Sequence, residues 1–188
     1  MPDIYVTLNA RLRPLDRGSR FEDPLVELLE EKVHELEVTG GGTLLGANRE
    51  PANCDIDLSF EDDPTRTLRL VIETLEKLGA PIGSYARFGG EDSTKVMFGS
   101  TEGIGIYLNG TDLPGEVYQS SDVNELIERL GDSVGDAGRM LSYWEGPTET
   151  ALYFYGPSAS AMKRLMADVL ASHPLAQRCR IEVLTPPR

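Results

Sequence analysis

The chain is poor in the residues that most often perform chemistry. Its 188 residues include two cysteines, Cys54 and Cys179, and two histidines, His34 and His173. Two cysteines cannot build a disulfide framework, and neither sits in a CxxC pair or in a Cys/His cluster of zinc spacing. They are read as buried or half-buried free thiols, and no metal or cofactor is expected. Both histidines fall at expected helix ends, where an imidazole meets the negative end of the dipole. No run approaches the ~20 apolar residues that cross a bilayer, and the first residues lack a basic, apolar leader. A membrane role is therefore not expected, and a cytoplasmic location is. Positive charge is also scarce: 18 Lys and Arg stand against 31 Asp and Glu, for a formal net charge of -13. Phosphate binding needs the opposite balance, which argues against nucleic acid as a partner and leaves room for a basic protein. Serine occurs in no GxSxG setting. Gly40-Gly41-Gly42 lacks the GxxxxGK[ST] spacing and leads into a strand, so it is no phosphate loop. No catalytic residue is assigned.

What is present is a folded chain that says the same thing twice. Apolar residues make up 40% and charged residues 26%, a balance that does not point to disorder. Ile4-Tyr5-Val6-Thr7-Leu8-Asn9 returns as Ile104-Gly105-Ile106-Tyr107-Leu108-Asn109, an echo that points to a duplicated module. The first half reads as a strand at 4–8, a helix from about 24 to 35 behind Asp23-Pro24, and a strand bent at Gly40–Gly42. A strand around Ile56, Leu58 and Phe60 follows, then a helix from Asp63-Pro64 to Gly79, and a strand at Tyr85–Phe88. The second half repeats that order: Ile104 to Leu108, a helix from Asp122 stopped by Gly131, the pair Met140–Trp144 and Ala151–Tyr155, a helix at 158–172, and Ile181–Leu184. Matching Leu58 with Phe154 and Tyr85 with Ile181 gives offsets of 96, close to the 100 of the first strands.

The expected fold is thus α+β: two tandem ferredoxin-like βαββαβ modules with antiparallel sheets, at 1–90 and 104–188. Residues 91–103 link them, with Lys95-Val96-Met97-Phe98 as a further edge strand.

Helices cover such a sheet on one side only, so the open faces are where function is sought. In the first module that face is expected to carry Tyr5, Thr7, Asn9, Asp55, Asp57 and Ser59. In the second it is expected to carry Tyr107, Asn109, Tyr143, Ala151, Tyr153 and Tyr155, with Trp144 at the rim. Tyrosine is common where surfaces recognise one another, and it also packs at joints between modules. Both readings stay open. Trp144-Glu145-Gly146-Pro147-Thr148-Glu149-Thr150 is either a recognition tip or a rigid hairpin. Asp55 and Asp57 share a strand face and form a candidate cation or acid/base pair. Glu27, Glu30, Glu31 and Glu35, and separately Glu61, Asp62 and Asp63, form acidic flanks.

The phrases Tyr5-Val6-Thr7-Leu8-Asn9-Ala10, Gly40-Gly41-Gly42-Thr43, Cys54-Asp55-Ile56-Asp57-Leu58, Tyr107 to Pro114 and Tyr143 to Thr150 together resemble a group of small acidic bacterial proteins. In size and acidity that group is similar to the immunity proteins that neutralise polymorphic bacterial toxins. The resemblance implies a non-enzymatic acidic binding protein, an immunity- or antitoxin-like inhibitor of a basic protein partner. A small-molecule-sensing module of ACT-like type is the alternative, with its ligand held between modules or between chains. An enzyme whose site gathers Asp55, Asp57, Asn9 and Asn109 is the third reading.

Overall fold

The computed structural model describes residues 3–89 and 93–184. Strand β1 (Asp3–Leu8) alternates in the way its sequence dictates, with Ile4, Val6 and Leu8 buried and Asp3, Tyr5 and Thr7 half-buried. A helical segment follows, made of α1 (Pro14–Arg17), a π-helical turn (Gly18–Glu22) and α2 (Asp23–Leu29). Strands β2 (Glu37–Leu45) and β3 (Pro51–Ser59), helix α3 (Pro64–Lys77), and strands β4 (Ser84–Phe88) and β5 (Val96–Phe98) complete the first sheet, ordered β2-β3-β1-β4-β5. The second half runs β6 (Glu102–Asn109), α4 (Gly115–Ser120), α5 (Val123–Val134), β7 (Arg139–Glu145), β8 (Glu149–Gly156), α6 (Ala159–Ser172) and β9 (Arg180–Val183), and its sheet is ordered β7-β8-β6-β9. All strand pairs in both sheets are antiparallel. The chain is two tandem ferredoxin-like modules, with β5 added to the edge of the first.

The register shows the duplication residue by residue. Ile4 lies opposite Leu58 in one sheet, and Ile104 lies opposite Phe154 in the other. At the closing strands the sequence match slips by one: Thr7 faces Tyr85, whereas Tyr107 faces Arg180 rather than Ile181. A slip of one reverses the faces, so Arg180 takes the place that Tyr85 holds in the first module.

Three elements differ from expectation. The first helical segment starts ten residues earlier, at Pro14, and α2 stops at Leu29. Pro14 fills N1, where its missing N–H costs nothing. The π turn is what lets the helix run on to Pro24, since the Asp23 amide reaches back five residues to the Gly18 carbonyl. His34 consequently lies in a turn, exposed beside Glu61. Helix α5 passes through Gly131 and ends at Gly135, which has φ +50°. α4 carries no periodic stripe that foretold it. The bend in β2 is present as a bulge between Val38 and Gly40.

The link between modules is pinned. Residues 91 and 92 of the expected linker lie outside the described residues, as do residue 90 before them and 1–2 and 185–188 at the chain ends. β5 belongs to the first sheet, and the segment after it is tied to the turn following α3: Gly99 N–H donates to Glu76, Ser100 N–H to the Ala80 carbonyl, and Thr101 Oγ1 to the Gly79 carbonyl.

Candidate binding surface

Helices α5 and α6 cover one face of the second sheet, with Ile104, Ile106, Leu152 and Phe154 beneath them. Its other face is pressed against the first module. Tyr107, Tyr153 and Tyr155 are 1%, 0% and 3% exposed and join the core of the first module together with Leu141 and Ala151. The tyrosines therefore do not form a free recognition face; packing at the joint is the reading that holds. Gly103 and Gly105 clear the space, because a Cβ at either would meet a tyrosine ring at 2.6 or 2.8 Å.

Two loops of the first module carry the polar partners of these rings. One oxygen of Glu50, from the turn between β2 and β3, accepts from Tyr153 OH at 2.7 Å, from Tyr107 OH at 2.5 Å and from the Arg11 guanidinium. The Arg11 amide donates to Tyr155 OH at 2.8 Å. Burial pushes the phenol pKa of Tyr107 and Tyr153 upward, and donation to Glu50 adds to it. Beside this knot, Ser142 Oγ donates to Asp16 at 2.6 Å and accepts from the Arg13 amide. The Arg180 guanidinium lies 3.5 Å from the centroid of the Tyr107 ring and grips both oxygens of Glu149 at 2.9 and 2.8 Å. Arg11, Glu50 and Arg180 were not singled out in the sequence. Each lies in a loop or on an edge strand, and no local pattern announces what it meets across the joint.

The other expected site residues have structural duties. A bulge at Leu141 reverses the alternation of β7, so Tyr143 packs with the helix-side cluster and Trp144 takes the side that meets the first module. Arg13 lies 3.6 Å from the Tyr143 ring centroid. The Trp144 indole folds over Gly146, whose amide donates to the Glu149 carbonyl. The loop from 144 to 150 is a tight hairpin, with Glu145 exposed and Glu149 held by Arg180. Asn9 donates to the Ile82 carbonyl, and Asn109 Oδ1 accepts from the Thr111 and Asp112 amides, an Asx turn. The structure does not bring the two asparagines to Asp55 and Asp57. Among the described residues no group of three or more His, Cys, Asp or Glu is placed to hold a metal ion. Cys54 is buried and its thiol pKa is pushed up to about 12 by that burial; Cys179 is half-buried and raised for the same reason.

That leaves the open face of the first sheet, which no element among the described residues covers. Its charges are sorted by strand. Glu37 of β2, Asp55 and Asp57 of β3 and Asp3 of β1 stand on one side; Arg87 of β4 and Lys95 ahead of β5 stand on the other. Arg87 and Lys95 lie over the rings of Tyr5 and Tyr85 at 5.4 and 4.2 Å. Thr7 Oγ1 donates to Asp55 at 2.6 Å. Asp57 has its carboxyl pKa raised, first by burial and then by the negative charge of Asp55. It lies over Gly40, where a Cβ would come within 2.8 Å of its oxygen. The result is a shallow recess of about 370 Å³ with glycine and acid on one side and Tyr5, Tyr85 and Arg87 on the other.

No family model and no curated protein matches the chain. Among solved structures it is similar to an unknown protein from Galdieria sulphuraria (10% identity, 97% of this chain and 95% of that chain covered, TM-score 0.30). It is also similar to the ligand-free regulatory subunit of aspartate kinase from Thermus thermophilus (7%, 89% and 92%, 0.27). A third is the first two RRM domains of the yeast poly(U)-binding protein (13%, 96% and 98%, 0.24).

Proposed function

We propose that the protein is a non-enzymatic binding protein that captures a basic polypeptide on the acidic side of its first sheet, in the manner of an immunity- or antitoxin-like inhibitor. The observation that carries this reading is the grouping of acids on the open face of the first sheet: Glu37, Asp3, Asp55 and Asp57 lie together, with Arg87 across the same recess and Lys95 further toward β5. The raised Asp57 carboxyl supports it, because a partly desolvated carboxylate beside a second one gains from an incoming cation. The net charge of -13 adds long-range steering.

The test is binding of polylysine at two salt concentrations. Retention at low salt that fades as ions screen it, and that drops in the Asp55→Asn, Asp57→Asn double variant, is the expected result. Binding that ignores both changes rejects the reading.

Small-molecule sensing at the joint is a second reading. It draws support from a recess of about 400 Å³ between the modules, lined by Arg13, Thr43, Arg49 and Trp144 among others. A metabolite that raises the melting temperature, and loses that effect in Arg49→Ala, would favour it.

A further inference from the structure

We infer that the seat of the basic partner is the free edge of β2, and that the partner docks there as an added antiparallel or parallel strand. This rests on the reading of the protein as a binder of basic polypeptide and names the mode and place of capture.

A sheet edge offers a row of unpaired amides and carbonyls, and proteins usually blunt it with lysine, proline, inward charge or brevity. Of the four sheet edges among the described residues, three are blunted. β5 is three residues long and follows Lys95. β9 is four residues long and carries Arg180 and Glu182. β7 begins with Arg139, whose guanidinium bonds the Leu78 carbonyl, and has a bulge of its own. β2 is nine residues long, and its only charge is Glu37 at the start. Between its two bulges the stretch Gly40–Leu44 is regular, and three of those five residues have no side chain to keep another backbone away.

Acids flank the first part of this edge on both faces. Side chains of a docked strand would alternate between the open face and the helix side. On the open face they would meet Glu37 and Asp57. On the helix side they would meet Asp23, Glu27 and Glu30 of the recess beside Val38, next to Arg17, which lies under Gly41 and is paired with Glu22. At the far end, Leu44 and Leu45 are 57% and 47% exposed, and the recess of Pro14, Leu45 and Trp144, rimmed by Arg13 and Arg49, suits an apolar rather than a cationic side chain. The occupant is therefore an extended Lys/Arg-rich segment of a partner protein with an apolar residue at one end. A second copy of this chain is a poor occupant, since it would bring the same acids to the same edge.

The probe is a synthetic Lys/Val peptide of about ten residues, a strand's length, with a terminal leucine. It is compared with the same peptide N-methylated at alternate backbone amides, which keeps its charge and removes its edge donors. The expected result is binding at low salt, slowed hydrogen exchange at Gly40–Leu44, and an affinity loss of about tenfold or more on methylation. Gly42→Lys, at a position with nothing within 4 Å of a new Cβ, is expected to weaken binding without unfolding the sheet. Equal binding of both peptides with unchanged β2 exchange would overturn the edge as the seat while leaving basic-polypeptide binding intact. No binding of either peptide would overturn both. A dimeric free protein with its β2 amides already protected would assign the edge to a second copy and overturn the inference.

Discussion

Glu50 holds two phenols and a guanidinium on a single carboxylate oxygen, so the joint depends on the protonation of its tyrosines. Tyr153 OH donates to a charged acceptor, a bond worth about 1.5–3 kcal/mol. Tyr153→Phe should lower stability by roughly that amount, or somewhat less because Glu50 is 20% exposed, read from the urea midpoint. The pH dependence has a fixed sign. The phenols of Tyr107 and Tyr153 titrate higher in the fold than in the unfolded chain, so what they contribute is intact below the ordinary phenol pKa of ~10 and fades as pH climbs above it. Alkaline unfolding should be steeper in the native protein than in the Tyr107→Phe, Tyr153→Phe variant. Asp57 runs against the usual direction for a carboxylate. With its pKa raised, it favours the fold only while protonated and loses that as pH rises through its folded value. Asp57→Asn should therefore leave stability at neutral pH unchanged or higher while weakening capture of polylysine, a split that thermal melts and binding assays read separately.

At the scale of elements, glycine marks where something else comes close. In β6, Gly103 and Gly105 lie beneath the Tyr155 and Tyr107 rings. Gly103→Ala should cost about 1–3 kcal/mol by forcing the Tyr155 ring aside, measured as a lowered melting temperature. The sequence made β1, β3, α3, β6, α6 and the edge strand β5 legible, because alternation and 3.6-residue stripes report burial directly. It misplaced the first helical segment because Pro14 and Gly18 look like breakers. A π turn that spares Pro24 leaves no periodic trace. It misassigned Tyr143 for a similar reason: the extra residue of the β7 bulge reverses every face after it, and nothing in Met140-Leu141-Ser142 announces the bulge. The acidic side of the first sheet, by contrast, was readable from Asp55 and Asp57 alone.

Over the whole molecule, the echo in sequence shows two copies of one fold but not how they meet. That depended on loops: Arg11 and Glu50 lie outside every strand and helix of the repeat. Because the first core takes in Tyr107, Leu141, Ala151, Tyr153 and Tyr155, the modules should melt in one calorimetric transition, with van't Hoff and calorimetric enthalpies equal. Substituting both Tyr107 and Tyr153 by alanine should split it in two. The shared core also imposes an order on manufacture. A ribosome releases β1 to β5 before it has made Tyr153 and Tyr155, so the first sheet emerges with its inner wall unfinished and waits for the last third of the chain to close it. Nascent chains halted just after β5 should therefore be cut readily by protease, and those carried past Gly156 should resist it.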